Sequence, residues 1–437
     1  MGGWDAVVME EGVGRTLIPP HGEASSGPLS LAERYARQRR ATLDLCDGLS
    51  AEDMSAQSMP QTSPTKWHLA HTTWFFEQFV LGVRVSADDW ARLFNSYYEQ
   101  VGRPFARDRR GLLTRPSLAE VLAYRARVDD LVLALLDRDL EPERASHVEL
   151  GIQHEQQHQE LLLTDLKHLF AQSPLEPVFR FPPSSGAPAP ASLSNGLRLR
   201  FLPGTSGPID IGHEGPGFAF DNEQPRHPAM VARHRIANRP VTNAEYRTFI
   251  LDGGYRRPEL WLSDGWAEVR RAGWDRPLYW SSELDTEFTL HGRVSIDPHA
   301  PVCHVSYYEA DAFARWAGAR LLTEQEWESD ADPGDIASGH WRESGVFHPT
   351  AAIRDVGVRQ MFGDVWEWTS SAYSAYPRFR PAVGAVGEYN GKFMCGQYVL
   401  RGGSCASPES HIRSTYRNFF YPADRWQFMG IRLGVDG

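Results

Sequence analysis

His154 and His158 stand four residues apart in Ile152-Gln-His-Glu-Gln-Gln-His-Gln-Glu-Leu-Leu, so on a helix their imidazoles share one face. Leu150, Gly151, Leu161, Leu162, Asp165 and Leu169 fall near the same stripe, which turns the rings toward the interior of a helical bundle. Bundles build metal sites there. Two imidazoles at this spacing can each give one ring nitrogen to a divalent ion, and neutral imidazole suits zinc, iron, copper or nickel. A histidine pair also serves as a solvated or hydrogen-bonded feature of a core, so a third ligand must decide. His71 is the candidate. Trp67, His71, Trp74 and Gln78 lie at i, i+4, i+7 and i+11 and put His71 on an aromatic, inward face, with His68 rotated about 60° away.

Two further groups carry chemistry. Tyr97 and Tyr98, in Phe94-Asn-Ser-Tyr-Tyr, can donate a proton or an electron beside a redox metal, or plug a core with their hydroxyls satisfied. Arg103, Arg107, Arg109 and Arg110 follow in a loop, where a guanidinium can hold a substrate carboxylate or face water.

These residues need helices to hold them. Ser30-Leu-Ala-Glu33 is a capping box that opens a helix to about Cys46. Ser63-Pro64 reads as an N-cap followed by proline at the first helical position, and that helix runs to a stop at Gly82. A second capping box, Ser117-Leu-Ala-Glu120, opens the third helix, and the fourth carries His154 and His158 to about Gln172. Residues 27–172 are thus expected to form a four-helix bundle, preceded by a poorly ordered tail, 1–26, of glycine and small residues. From 173 to 196 the chain is rich in proline and reads as a linker. Beyond it, residues 197–437 change in kind. Short alternating segments such as Leu197–Phe201, many glycines and most of the tryptophans predict an irregular, strand-rich domain with short helices at Asn243–Ile250 and Tyr307–Trp316. The fold class expected is therefore multi-domain, α followed by α+β.

Composition narrows the partners. The 437 residues exceed one typical domain, and 41% hydrophobic with 23% charged residues is ordinary for a globular protein. No run approaches the length of a spanning helix and no signal pattern opens the chain, so the cytoplasm is the expected compartment. A net charge of -11 argues against nucleic acid and for small-molecule substrates. Cys46, Cys303, Cys395 and Cys405 are too few and too irregularly spaced for a disulfide scaffold and contain no C-x-x-C, so reduced thiols are expected.

Several stretches carry a family resemblance. Pro240-Val-Thr-Asn-Ala-Glu-Tyr, Pro301-Val-Cys-His-Val-Ser-Tyr-Tyr-Glu-Ala, Trp316-Ala-Gly-Ala-Arg-Leu-Leu-Thr-Glu-Gln-Glu-Trp-Glu328, Gly363-Asp-Val-Trp-Glu-Trp-Thr369 and Arg401-Gly-Gly-Ser404 closely resemble the formylglycine-generating-enzyme (sulfatase-modifying-factor) domain, which implies a C-type-lectin-like fold. The first half, with His71 on one helix and His154-x3-His158 on another, resembles a DinB-like bundle. The two in this order are similar to the sulfoxide synthases of ergothioneine biosynthesis. Further matching stretches are Trp67-His-Leu-Ala-His71, Phe94-Asn-Ser-Tyr-Tyr98, Gly387-Glu-Tyr-Asn-Gly-Lys-Phe-Met-Cys395 and Tyr416-Arg-Asn-Phe-Phe-Tyr-Pro422.

The resemblance implies a non-heme iron oxygenase. Such enzymes join the sulfur of cysteine or γ-glutamylcysteine to imidazole C2 of hercynine, the Nα-trimethylated histidine, and oxidise that sulfur with O2. It implies His71, His154 and His158 as Fe(II) ligands, Tyr97 or Tyr98 as proton donor, and Gln157, Asn418 and Phe419 as hercynine-binding residues. Relatives that take γ-glutamylcysteine have an acid where Phe420 stands, which speaks for free cysteine here, with Arg107 or Arg110 on its carboxylate. His68 is left as a structural or supporting residue. The alternatives are γ-glutamylcysteine as donor and a paralogue acting on another imidazole or a selenium donor. A copper-dependent formylglycine-generating oxidase would need a cysteine partner for Cys405, and only Cys395 is near in sequence.

Overall fold

The computed structural model describes residues 29–87, 89–181, 198–352 and 357–437. The expected tail lies outside them, and so do residues 182–196 of the expected linker.

Among the described residues, five α-helices make the first half. Helix α1 (Leu31–Cys46) opens on Ser30, whose hydroxyl accepts the Glu33 N–H while the Glu33 carboxylate accepts the Ser30 N–H. Helix α2 (Thr65–Phe76) continues through a π-helical turn, Glu77–Leu81, to Gly82 at φ 64°. Its cap is Pro64, one residue later than expected, and the Ser63 hydroxyl that would have capped the helix accepts from Arg110 instead, at 2.8 Å. Helix α3 (Trp90–Phe94) is a single short turn that the sequence pattern did not announce. Helix α4 (Leu118–Leu136) opens on the Ser117/Glu120 box, and α5 (Pro142–Ala171) has proline in its first turn. Helix α1 packs on α4 and α5, and α2 packs on the same two, which closes a bundle of four long helices.

A buried ion network centres the bundle. Glu155 accepts from Arg39 at 2.9 Å, Arg125 at 2.5 Å and the Thr42 hydroxyl at 2.6 Å. Burial pushes the Glu155 carboxyl up, but Arg125 and Arg39 outweigh it and hold the group down at about 2. Residues 173–181 are neither helix nor strand, and within them Phe179 is buried and its N–H donates to the Leu290 carbonyl.

The second half is built of short strands and helices. In chain order the strands are β1 (Phe201–Pro203), β2 (Gly207–Ile211), β3 (His227–Val231), β4 (His234–Ala237), β5 (Thr286–Thr289) and β6 (Gly292–Ser295). They continue with β7 (Arg320–Leu321), β8 (Trp366–Ala372), β9 (Tyr398–Arg401), β10 (Asn418–Phe420), β11 (Met429–Gly430) and β12 (Leu433–Asp436). Two four-stranded sheets, ordered β1-β4-β12-β7 and β10-β9-β8-β11, are accompanied by the hairpins β2-β3 and β5-β6. Helices α6 (Asn243–Leu251), α7 (Ser263–Ala272), α8 (Tyr307–Trp316) and α9 (Glu324–Asp330) connect them. Helices α6, α8 and α9 all open on capping boxes, at Thr242, Ser306 and Thr323.

The halves are joined along α5, which at 30 residues runs for about 45 Å and presents one polar face to the second half. Glu160 accepts from the Trp366 indole N–H at 2.8 Å and from the hydroxyls of Ser404 and Ser407, each at 2.6 Å. Gln156 donates to Ser410, and Gln153 pairs with His411. Apolar packing is continuous across the junction: Trp67, Trp74 and Tyr98 belong to one buried cluster with Trp366, Tyr389 and Tyr416. The cleft left between the halves is where the chemistry-bearing residues meet.

Candidate metal centre and its cleft

Helix α2 supplies His71 and α5 supplies His154 and His158, and one nitrogen of each lies within 4.8 Å of the other two. His71 Nδ1–H donates to the Phe94 carbonyl at 2.5 Å, which leaves Nε2 to face inward. That Nε2 is 3.2 Å from His154 Nε2. His154 Nδ1 is buried without a partner. Burial, with the neighbouring His154 ring, holds His71 and His158 well below the usual imidazole range, and burial holds His154 down at about 3. All three imidazoles therefore keep a lone pair free at neutral pH.

A metal ion fits this set. Two imidazole nitrogens each about 2.1 Å from one ion at a right angle lie roughly 3 Å apart, close to the separation seen between His71 and His154. Stacking fixes the rings, with Trp67 at 4.6 Å and Trp74 at 5.7 Å from His71, centroid to centroid.

The cluster opens onto a cleft of about 670 Å³. Its walls contain His154, His158, Gln157, Tyr97, Arg107, Arg110, Asn418, Phe419 and Phe420, so nearly every residue singled out in the sequence converges here. His71 stands behind the wall. Tyr98 does not reach the cleft: it is fully buried, its ring 4.7 Å from that of Tyr97. Of the two tyrosines only Tyr97 borders the open space. Arg110 is buried, stacked 3.3 Å over the Trp67 ring and donating to the Ser63 hydroxyl at 2.8 Å, whereas Arg107 is exposed at the rim.

Gln157 donates to the Tyr416 hydroxyl at 2.5 Å. Asn418 and Phe419 lie on β10, and Phe419 is stacked 4.0 Å from Tyr373. Trp366, Tyr389, Tyr416 and Trp426 complete an aromatic lining.

Four features of this cleft were not singled out in the sequence. Tyr389, whose ring is 5.6 Å from His154, and Tyr416 both lay inside matching stretches without a role assigned. Glu160 is two residues past His158 on the same helix. Asp424 lines the cleft with its carboxyl pushed up by burial to about 7, and no spacing pattern flagged it.

The profile of the DinB superfamily matches residues 34–162, and that of the sulfatase-modifying factor enzyme 1-like domain matches 202–354 and 338–436. The hercynine oxygenase of Mycolicibacterium thermoresistibile is 37% identical over 93% of this chain and 94% of its own length. The chain belongs to the hercynine oxygenase family. The hercynine oxygenase of Mycobacterium tuberculosis is 35% identical over 94% of this chain and all (100%) of its own. Ergothioneine biosynthesis protein 1 of Schizosaccharomyces pombe is 30% identical over 49% of this chain and 27% of its own. As a hercynine oxygenase family member the chain is an oxygenase, with a DinB-like helical domain followed by a sulfatase-modifying-factor domain. No helix among the described residues is long and apolar enough to cross a membrane.

Proposed function

We propose that this oxygenase is a sulfoxide synthase that joins the sulfur of cysteine to imidazole C2 of hercynine, using Fe(II) and O2, in ergothioneine biosynthesis. The single observation that carries the reading is the meeting of His71, His154 and His158 at the wall of a cleft lined by Gln157, Asn418, Phe419 and Tyr97. The stoichiometry balances. The imidazole C–H and the thiol S–H are lost, a C–S bond and an S–O bond form, and the second oxygen atom leaves as water.

His71, His154 and His158 would hold the iron, which when bound supplies a site where thiolate, imidazole and O2 can be gathered. The chain's own residues do the rest. Gln157 and Asn418 orient the hercynine imidazole and carboxylate by hydrogen bonds, and the aromatic lining around Phe419 suits a trimethylammonium group better than an anion does. Arg107 or Arg110 takes the cysteine carboxylate. Tyr97, rather than Tyr98, is the proton donor, because its ring borders the cleft; burial pushes its phenol up, so it remains protonated and able to donate. Phe420 on the same wall offers no acid to the amine of a γ-glutamyl group, which favours free cysteine.

We assign the bundle to residues 27–172 and a C-type-lectin-like fold to 197–437, in a cytoplasmic protein whose four free cysteines suit a reducing compartment. The test is oxygen uptake by the Fe(II)-loaded protein. Uptake that requires hercynine and cysteine together supports the reading. No uptake with cysteine or γ-glutamylcysteine beside hercynine overturns it.

A further inference from the structure

We infer that His68, held by Asp165, is a positioning residue that fixes His158 as an Nε2 metal ligand and ties that ligand to the second domain. The inference rests on the three-histidine metal reading. His68 Nδ1 is 2.8 Å from His158 Nδ1, and His68 Nε2 is 3.1 Å from Asp165 Oδ2. The same Asp165 oxygen accepts the Ser63 N–H at 2.8 Å, and Asp165 Oδ1 accepts the Trp426 indole N–H at 3.2 Å. His68 and Asp165 are only 3% and 7% exposed, set into the inner wall of the cleft.

The directions of the bonds follow from the acceptor at the end. A carboxylate can only accept, so His68 Nε2 carries the hydrogen that faces Asp165. In neutral His68 the other nitrogen, Nδ1, is then a bare acceptor. His158 must donate to it from Nδ1–H, which leaves His158 Nε2 with the lone pair. A hydrogen bond from a ligating imidazole to an acceptor fixes the tautomer and the ring plane and strengthens the metal-facing nitrogen. Here the acceptor is a second imidazole polarised by a buried carboxylate. His71 obtains the same setting from the Phe94 carbonyl, whereas His154 Nδ1 has no partner.

The chain of bonds does not stop in the bundle. Trp426 belongs to the second half, so closing the two halves on each other orients Asp165, then His68, then His158. Metal affinity is accordingly coupled to the docking of the domains.

The test is titration of the full-length apoprotein with Co(II) and, anaerobically, Fe(II), reading the dissociation constant, the stoichiometry and the Co(II) absorption spectrum for wild type, His68→Phe, His68→Gln and Asp165→Asn. His68→Phe should weaken binding about 10- to 100-fold and shift the Co(II) bands, while one ion per chain still binds at saturation. His68→Gln should recover much of the affinity, since its amide oxygen can accept the His158 Nδ1–H. Asp165→Asn should fall between wild type and His68→Phe. Unchanged affinity and spectrum in a folded His68→Phe, or in Asp165→Asn if the former does not fold, overturns the inference. Loss of stoichiometric binding in His68→Phe also overturns it, because His68 would then be a ligand itself. A wild-type protein that binds neither ion fails at the earlier step, the metal reading.

Discussion

His71 Nε2 and His154 Nε2 face each other 3.2 Å apart from two different helices, with the remaining nitrogen of His71 tied to a backbone carbonyl. With that nitrogen committed, His71 Nε2 is an acceptor that His154 Nε2–H can satisfy, and an ion that takes both lone pairs would replace this one hydrogen bond with two metal bonds. His154→Ala should therefore remove most bound iron, leaving two imidazoles that make a poor site. Metal analysis after iron loading checks this, and full retention of iron would remove His154 from the ligand set.

Tyr97 and Tyr98 are adjacent in sequence but differ in what they face. Tyr97→Phe should reduce sulfoxide formation roughly a hundredfold or more, the range typical of losing a proton donor. Tyr98→Phe, which changes a buried side chain outside the cleft, should leave the product distribution nearly as it was. Product analysis by mass spectrometry separates the two. Unchanged sulfoxide formation in both variants would show that neither phenol acts as the donor.

The helices and the convergence of three histidines were legible in the sequence because they rest on local rules. Ser30/Glu33 and Ser117/Glu120 satisfy helix-end amides within three residues, and His71, His154 and His158 lie on inward stripes that period alone identifies. The supporting residues follow a different logic. Asp165 stood on the histidine stripe as an isolated carboxylate among leucines, and that was the available signal, but its partners come from two distant segments, Ser63 and His68 from the start of α2 and Trp426 from the second half. Glu160 likewise looks like a surface residue of an amphipathic helix until the second domain covers it. Which tyrosine borders the cleft depends on how the loop after α3 turns, and neighbouring positions in a loop have no period to read.

Phe420 follows Asn418 and Phe419 on β10, the two residues proposed to bind hercynine. Phe420→Asp should favour γ-glutamylcysteine over cysteine by about tenfold, the effect of one hydrogen bond to a charged group. Competition between the two thiols, read as the ratio of kcat/KM, checks this; an unchanged ratio would mean that this position does not choose the donor.

Glu155 ties the bundle together through Arg39 and Arg125. Its folded-state carboxyl is held down at about 2, below an ordinary carboxylate. The stabilisation is thus fully present above the unfolded value, near pH 4.3, and is lost as pH falls from there toward 2. Glu155→Gln should cost about 3–5 kcal/mol at neutral pH, since it takes the counter-charge from buried Arg125 and leaves Arg39 with Asp129 alone. Thermal or denaturant unfolding of wild type and variant across that acid range checks both the size and the sign.

The central claim is tested most directly by supplying heavy-oxygen-labelled O2 to the Fe(II)-loaded protein with hercynine and cysteine, and weighing the product. The account predicts one hercynylcysteine sulfoxide in which the sulfoxide oxygen carries the label and the imidazole C2 hydrogen is gone. An unlabelled product, a cysteine oxidised without attachment to the imidazole, or no product at all would contradict it.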